Sequence, residues 1–121
     1  MEDSRKLCDI AFHALDEKKA EDIKVIDISE ISILADYFMI ASGKNLNQIH
    51  AMADHVEEEL QKNGYTGAAV EGYQQANWIL MDYQDVVIHI FDRESRAFYD
   101  LERIWSDGKA VQIDSPEAVS G

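Results

Sequence analysis

The chain has 121 residues, 46% of them hydrophobic, and a formal net charge of −13 from 24 Asp and Glu against 11 Lys and Arg. This length suits one domain with a substantial core, and the apolar content excludes a disordered chain. The acidic balance argues against direct binding to nucleic acid or to an anionic membrane surface, because both are negatively charged. The charge therefore serves either solubility alone or a basic partner.

The sequence carries no signal for export or membrane insertion. Cys8 is the only cysteine, so no internal disulfide can form and a reducing compartment fits. Asp3 and Arg5 interrupt the place where an apolar signal core would lie, and no apolar run approaches the ~18 residues of a membrane span. We therefore expect a cytoplasmic protein.

Hydrophobic spacing predicts eight elements in chain order. Apolar residues three and four apart indicate helices, and short apolar or alternating runs indicate strands. The expected elements are a helix over 3–19, strands over 22–29 and 36–43, a helix over 45–62, strands within 65–73, 78–83 and 85–91, and a helix over 93–105. This order predicts an α/β (α+β) fold, with a mixed sheet of about five strands and helices packed against it.

The helix over 45–62 has the clearest boundaries. Asn45 is a good N-cap, and Gln48 stands three residues on, where its side chain can return the hydrogen bond. Asn63-Gly64 ends the helix, because Gly adopts the left-handed cap conformation without a steric penalty.

The hydrophobic pattern weakens towards the end of the chain. After Gly108 it fades, and small polar residues surround Pro116. We therefore expect one domain over 1–108 and a flexible C-terminal tail over 109–121.

The last two strands are expected to form an antiparallel hairpin, because only Gln84 and Asp85 join them. Alternation then gives each strand two faces. Trp78, Leu80 and Asp82 share one face of the first strand, Ile79, Met81 and Tyr83 share the other, and His89 shares a face of the second strand with Val87 and Phe91.

Two residues of this hairpin have more than one interpretation. His89 is either a sheet histidine bonded to a neighbour or part of a surface or polar network. Trp78 is either core or contact. A Trp with a Tyr and a carboxylate nearby has the composition of an interface hot spot.

We find no group of residues that converges as catalysis requires. Cys8 and Ser42 are nucleophile candidates by residue type only. His50 and Asp54 share a helical face, but such a pair is common by chance and weak as a metal site. Ser42-Gly43-Lys44 fits a turn and cap more simply than an anion site. We therefore predict no catalytic residues, no metal and no cofactor.

Several short motifs occur in order over about residues 5–106. The motifs are DIS at 27–29, ADYFMIASG at 35–43, Gln48, EG at 71–72, WILMDY at 78–83, DVVIHIF at 85–91 and RAFYDLERIW at 96–105. In sequence and in spacing they closely resemble the ribosomal silencing factor family, also called the iojap family.

That resemblance implies a fold similar to nucleotidyltransferases and no enzymatic activity. It implies binding to large-subunit ribosomal protein fourteen, on the face where the small subunit docks. The bound factor would block joining of the subunits and repress translation when nutrients are scarce. A homodimer of the free factor is also implied. The charge of −13 agrees with a basic ribosomal protein as the partner and with no direct nucleic-acid contact.

Two alternatives stay open. One is a nucleotidyltransferase-like enzyme, since Ser42-Gly43 occupies a turn similar to the Gly-Ser pair of those enzymes, in reversed order. The strand over 78–82 carries one acid, Asp82, where a metal-binding pair would be needed. The other alternative is a homodimeric scaffold for a different basic partner.

We expect the partner-binding residues on and around the first strand of the hairpin. Aromatic side chains would supply buried area, and the acids would pair with Lys or Arg of the partner. Because Trp78 and Tyr83 alternate faces, one partner can touch both only near a sheet edge or end. The predicted set is Glu71, Trp78, Asp82, Tyr83, His89 and Tyr99.

Overall fold

The computed structural model of the protein describes residues 2–113. Over these residues it has four helices and six strands, in the predicted order up to the last helix. The elements are α1 Glu2–Glu17, β1 Glu21–Asp27, β2 Tyr37–Gly43, α2 Leu46–Lys62, β3 Ala69–Glu71, β4 Trp78–Asp82, β5 Val86–Asp92, α3 Arg93–Tyr99, α4 Leu101–Ile104 and β6 Lys109–Ala110.

The strands form one mixed sheet in the order β3-β4-β5-β2-β1-β6. The central pair, β2 and β5, is parallel, and the other neighbours are antiparallel. The predicted α/β class and mixed sheet are thus confirmed. The sheet has six strands rather than five, because the two residues of β6 add to its edge beside β1.

The two faces of the sheet are covered by different helices. On the first face, α1 and α2 pack over a continuous core, and its fully buried members include Met39, Ile79 and Ile88. On the second face a smaller cluster surrounds Phe38 and Phe91, and residues of α4 pack against it only partly buried. The first face therefore supplies most of the apolar burial that stabilises the fold.

The start of α2 is capped as the sequence predicts. The Asn45 side chain accepts a hydrogen bond from the Gln48 amide at 2.8 Å. The Gln48 side chain accepts from the Lys44 amide at 2.7 Å, one residue before the expected partner. Its amide group also donates to the carbonyls of Lys18 and Lys19 at 3.1 and 2.9 Å. Gln48 therefore joins the start of α2 to the end of α1.

The single helix predicted over 93–105 is wrong, because the chain breaks it at Asp100. Asp100 adopts the left-handed conformation with φ 49° and ψ 52°, which Asp tolerates better than most residues. Phe98 and Ile104, which an unbroken helix would place on one apolar stripe with Leu101 and Trp105, are 79% and 63% exposed.

Residues just beyond the predicted boundary at residue 108 form a short strand, β6. Ala110 and Lys109 pair with Ile26 and Asp27 of β1, and the Val111 amide donates to the Val25 carbonyl at 2.9 Å. Backbone pairing with β1 thus orders residues that the sequence pattern assigned to a tail. The rest of that predicted tail, 114–121, lies outside the described residues.

Cys8 is fully buried in the core between the helices and the sheet. Burial raises the pKa of its thiol to about 12, so the thiol stays protonated near neutral pH. Cys8 therefore packs in the core, where its thiol is not exposed for attack on a substrate. Among residues 2–113, none of the helices has the length and apolar character needed to cross a membrane.

We predict that Gln48→Ala lowers the free energy of unfolding by about 1–2 kcal/mol, because it removes one cap bond and two bonds to the end of α1. Chemical denaturation measures this loss. Gln61→Ala, at an exposed position of the same helix, is the matched control and should change stability little. Equal losses in the two variants would contradict the assigned role of Gln48.

Candidate protein-binding surface

A cluster of aromatic rings lies on the second face of the sheet. In the antiparallel pairing of β4 and β5, Trp78 lies opposite Phe91, and Leu80 lies opposite His89. The Trp78 ring contacts the Phe91 ring at a centroid distance of 5.1 Å and the Tyr99 ring at 4.6 Å. Strand pairing thus places Trp78, and α3 brings Tyr99 across the sheet to meet it.

The buried side chain of His89 fixes the position of the Trp78 indole through a hydrogen bond. The indole Nε1 donates to His89 Nδ1 at 3.1 Å, so the neutral imidazole must carry its proton on Nε2. His89 is only 4% exposed, and burial lowers its pKa to about 4. The two predicted interpretations of His89 both apply. It is a buried sheet histidine bonded to a neighbour, and that neighbour, Trp78, belongs to a cluster that reaches the surface.

The Nε2 atom of His89 is buried and has no hydrogen-bond partner among the described residues. The Phe38 ring packs edge-to-face on the His89 ring, at a centroid distance of 4.9 Å. A charged imidazolium would be poorly solvated between these rings. The site therefore holds His89 neutral, with Nδ1 free to accept the indole hydrogen bond.

The outer side of this cluster is open to solvent. Tyr99 is 39% exposed, and Phe98 packs edge-to-face on it at 5.0 Å while remaining 79% exposed. Leu80 and Val87 are half-buried on the same face. Large aromatic side chains at a surface are typical of protein interfaces.

Two predicted acids share this face with the aromatic rings. Glu71 lies opposite Leu80 in the β3–β4 pairing, and Ala69 lies opposite Asp82, so both carboxylates project on the side of Trp78. Glu71 is exposed. Asp82 Oδ1 accepts from the Gln84 amide at 2.8 Å, so this acid also closes the hairpin turn.

We call the exposed part of this face the aromatic–acidic surface. It unites four of the predicted residues, with His89 buried directly beneath, and adds the aromatic residue Phe98, which was not among them. Its members are Glu71, Trp78, Asp82, Phe98 and Tyr99.

Tyr83 is the exception among the predicted binding residues. It lies on the first face, half-buried against the core that α1 and α2 cover. Burial, and secondarily the charge of Glu57, raises the pKa of its hydroxyl to about 12. Strand alternation places Tyr83 and Trp78 on opposite faces of the sheet, so Tyr83 does not share the surface that carries Trp78.

Sequence analysis missed Phe98, because it assumed one uninterrupted helix. The signal that could have found it is Asp100. Asp is a common N-cap and tolerates left-handed backbone, so its position in the middle of an apolar stripe favours a break between two short helices. A helix ending at Tyr99 leaves Phe98 without a neighbouring turn to cover it.

Ser42, His50 and Asp54 all form hydrogen bonds within the fold. Ser42 is buried, and its hydroxyl accepts from Arg96 Nη1 at 3.2 Å. His50 and Asp54 do not meet as ligands, because both bond to Tyr73.

One cluster within residues 2–113 could hold a metal ion: His55, Glu58 and Glu59. It lies at the surface of α2, away from the aromatic–acidic surface. Lys62 already pairs with Glu58 at 3.8 Å and Glu59 at 3.0 Å, while His55 contacts Glu17 at 2.6 Å. Hydrogen bonds and ion pairs within the protein thus already engage these side chains.

We predict that His89 makes stability fall in mild acid. Its pKa lies below the ordinary value of 6.5 only in the folded state, so the unfolded state binds more protons between pH 6.5 and about 4. The contribution of His89 to the free energy of unfolding is therefore fully present above pH 6.5. It falls as the pH drops, and the loss is on the order of 2 kcal/mol at pH 4.5.

His89→Gln is the matched comparison, because the amide oxygen can accept from Trp78 Nε1 but does not titrate. Denaturant titrations from pH 7 to 4.5 should show a steeper loss for the wild type. Parallel pH profiles for the two proteins would contradict a neutral, buried His89.

The fold and the aromatic–acidic surface together define a small α/β protein with a surface of the kind that binds other proteins. Comparison with known sequences then identifies the family. The family described as "Ribosomal silencing factor during starvation" matches residues 1–120. The chain belongs to the ribosomal silencing factor family, which confirms the resemblance seen in its motifs.

Individual relatives agree with this assignment. Ribosomal silencing factor RsfS of Bacillus subtilis is 37% identical over 110 residues, covering 91% of this chain and 93% of the relative. The protein of the same name from Halalkalibacterium halodurans is 37% identical over 111 residues, covering 92% and 95%. Mitochondrial assembly of ribosomal large subunit protein 1 of Mus musculus is 30% identical, covering 87% of this chain and 49% of that protein.

Solved structures show the same fold. A crystal structure of a Chromobacterium violaceum protein has a TM-score of 0.82 at 27% identity, and the match covers 95% of this chain and 97% of that one. A Bacillus halodurans crystal structure has a TM-score of 0.79 at 36% identity, covering 90% and 99%.

Proposed function

We propose that this protein is a ribosomal silencing factor that binds the large ribosomal subunit through large-subunit ribosomal protein fourteen. The bound protein sterically blocks joining of the small subunit and so represses translation when nutrients are limited. It acts in the cytoplasm by occupying a surface and is not an enzyme. The free protein forms a homodimer.

Family membership is the first support for this proposal. The relatives from bacteria carry the name ribosomal silencing factor, and the mouse relative is named for assembly of the large ribosomal subunit. All of these names refer to the ribosome. A role in translation regulation with the large subunit as partner agrees with all of them.

The aromatic–acidic surface is the observation on this chain that best supports a protein partner. Phe98 and Tyr99 offer apolar area that the fold leaves exposed, and Trp78 is held rigidly at their side by His89. Rigid aromatic groups bind with little loss of side-chain entropy. Glu71 and Asp82 suit Lys or Arg of a basic partner.

The charge of the whole chain favours the same partner. A protein of net charge −13 is attracted to a basic ribosomal protein and repelled by exposed ribosomal RNA. Long-range attraction raises the rate of encounter, while the aromatic contacts slow dissociation. Binding should therefore weaken as salt rises, through a slower association rate.

The decisive experiment is a subunit-joining assay. Large subunits are incubated with the protein, small subunits are added, and joined ribosomes are separated from free subunits by sedimentation. We expect the joined fraction to fall as the protein approaches saturation of the large subunits. Undiminished joining at saturating protein would overturn the blocking function.

We predict that Phe98→Ala weakens binding to large subunits about tenfold, because interface aromatics commonly contribute 1–2 kcal/mol or more. Phe98 is preferable to Trp78 for this test, since it is 79% exposed and its truncation spares the hydrogen bond to His89. Sedimentation binding measures the change.

Leu46→Ala serves as the control for Phe98→Ala. Leu46 is 51% exposed at the start of α2, the helix that covers the first face. We expect this variant to bind like the wild type. Equal binding by Phe98→Ala and the wild type would place the contact elsewhere on the protein.

The two alternative functions give different results in simple assays. A nucleotidyltransferase-like enzyme would bind nucleotide with magnesium, which calorimetry detects. A scaffold for another basic partner would leave subunit joining unchanged and would capture a non-ribosomal protein from a lysate. We expect neither result.

A further inference from the structure

The loop between β3 and β4 connects two members of the aromatic–acidic surface. Glu71 is the last residue of β3, and Trp78 is the first residue of β4. The six residues between them, 72–77, form a loop. We call this segment the β3–β4 loop. Its conformation therefore sets where two members of the aromatic–acidic surface stand relative to each other.

The β3–β4 loop is tied to α2 by one tyrosine. The Tyr73 hydroxyl donates to Asp54 Oδ1 at 2.8 Å. His50 Nε2 donates to the Tyr73 backbone carbonyl at 2.7 Å. The rings of His50 and Tyr73 stack at a centroid distance of 4.4 Å with an interplanar angle of 20°. We call these three residues the Tyr73 latch.

The latch lies next to a close backbone contact with Trp78. Gly72 has φ +77°, and a Cβ atom at this position would lie 2.2 Å from the Trp78 carbonyl oxygen. Only glycine allows this approach. Because His50 fixes the carbonyl of the next residue, Tyr73, the latch holds Gly72 against the backbone of Trp78.

Other bonds close the loop but do not reach α2. The Ala76 amide donates to the Gly72 carbonyl at 3.0 Å, and the Asp92 amide donates to the Asn77 carbonyl at 3.1 Å. Ala76 is 2% exposed and packs in the core. The hydrogen bonds from Tyr73 join this loop to α2, so they restrain the first half of the loop.

We propose that the Tyr73 latch is a positioning device, in which His50 and Asp54 of α2 hold the β3–β4 loop so that Glu71 and Trp78 are preorganised for the partner. This inference rests on the proposed function, since it assigns a role in the same binding surface. The latch lies against α2, the helix that packs on the first face, whereas the aromatic–acidic surface lies on the second face. It acts by raising the fraction of molecules with a binding-competent loop.

The test uses Tyr73→Ala, which removes the hydroxyl and the ring, and Tyr73→Phe, which restores the ring alone. Two quantities are measured: hydrogen exchange at the Ala76 amide of the free protein, and affinity for isolated large subunits. We expect Tyr73→Ala to bind about tenfold more weakly and Tyr73→Phe about threefold, since the apparent affinity scales with the competent fraction. Exchange at the Ala76 amide should be fastest in Tyr73→Ala, slower in Tyr73→Phe and slowest in the wild type.

Tyr65→Phe is the matched control. Tyr65 also donates its hydroxyl across the protein, to the Asp3 carbonyl at 3.3 Å, but it does so away from the β3–β4 loop. We expect it to leave both Ala76 exchange and large-subunit affinity as in the wild type. A thermal melt of each variant confirms that the binding assay measures folded protein.

Each outcome decides the inference. Unchanged exchange in Tyr73→Ala would show that the latch does not hold the loop. Faster exchange with wild-type affinity would show that the loop is held but does not prepare the binding surface. If the wild type fails to bind large subunits, the proposed function is overturned instead, while exchange in the free protein still reports whether the latch restrains the loop.

Discussion

The two-residue turn at Gln84–Asp85 sets the register between β4 and β5, and this register decides which side chains meet on each face of the sheet. Because side chains alternate, a shift of one residue would move every member of β4 to the opposite face. Asp82 closes the turn through its bond to the Gln84 amide. The core on one face and the aromatic cluster on the other both depend on this alignment.

The second face combines a structural task with an exposed surface. Phe38, Ile40 and Phe91 are buried there, yet the short helices α3 and α4 leave Phe98 and Ile104 in solvent. The second face therefore keeps exposed apolar area beside the break at Asp100, which agrees with a surface that is completed by another protein.

Anchoring of α3 explains how a seven-residue helix holds its place. Arg96 is 9% exposed, donates to the Glu21 carbonyl and the Ser42 hydroxyl at 3.2 Å each, and pairs with Glu102 at 2.9 Å. Arg93 pairs with Glu21 nearby. These bonds tie α3 to the ends of β1 and β2. Tyr99 is thereby held over Trp78.

The local pattern of the sequence determined the type and order of the elements through α2 and the hairpin, the Asn45 cap, and the two faces of β4. These features depend on spacing and on neighbours close in the chain. The family motifs likewise identified the family, since they are read directly from the residues.

Tertiary structure alone decided the rest. Pairing with β1 is a long-range contact that ordered Lys109–Ala110, although these residues have no strand pattern of their own. The sequence could place Tyr83 on the opposite side of β4 from Trp78, but only the packing of α1 and α2 showed that this side is the core. The left-handed turn at Asp100 exposed Phe98, and the contact between Trp78 and His89 arose from strand register. Spacing along one segment specifies which residues share a face, whereas exposure depends on which distant elements cover that face.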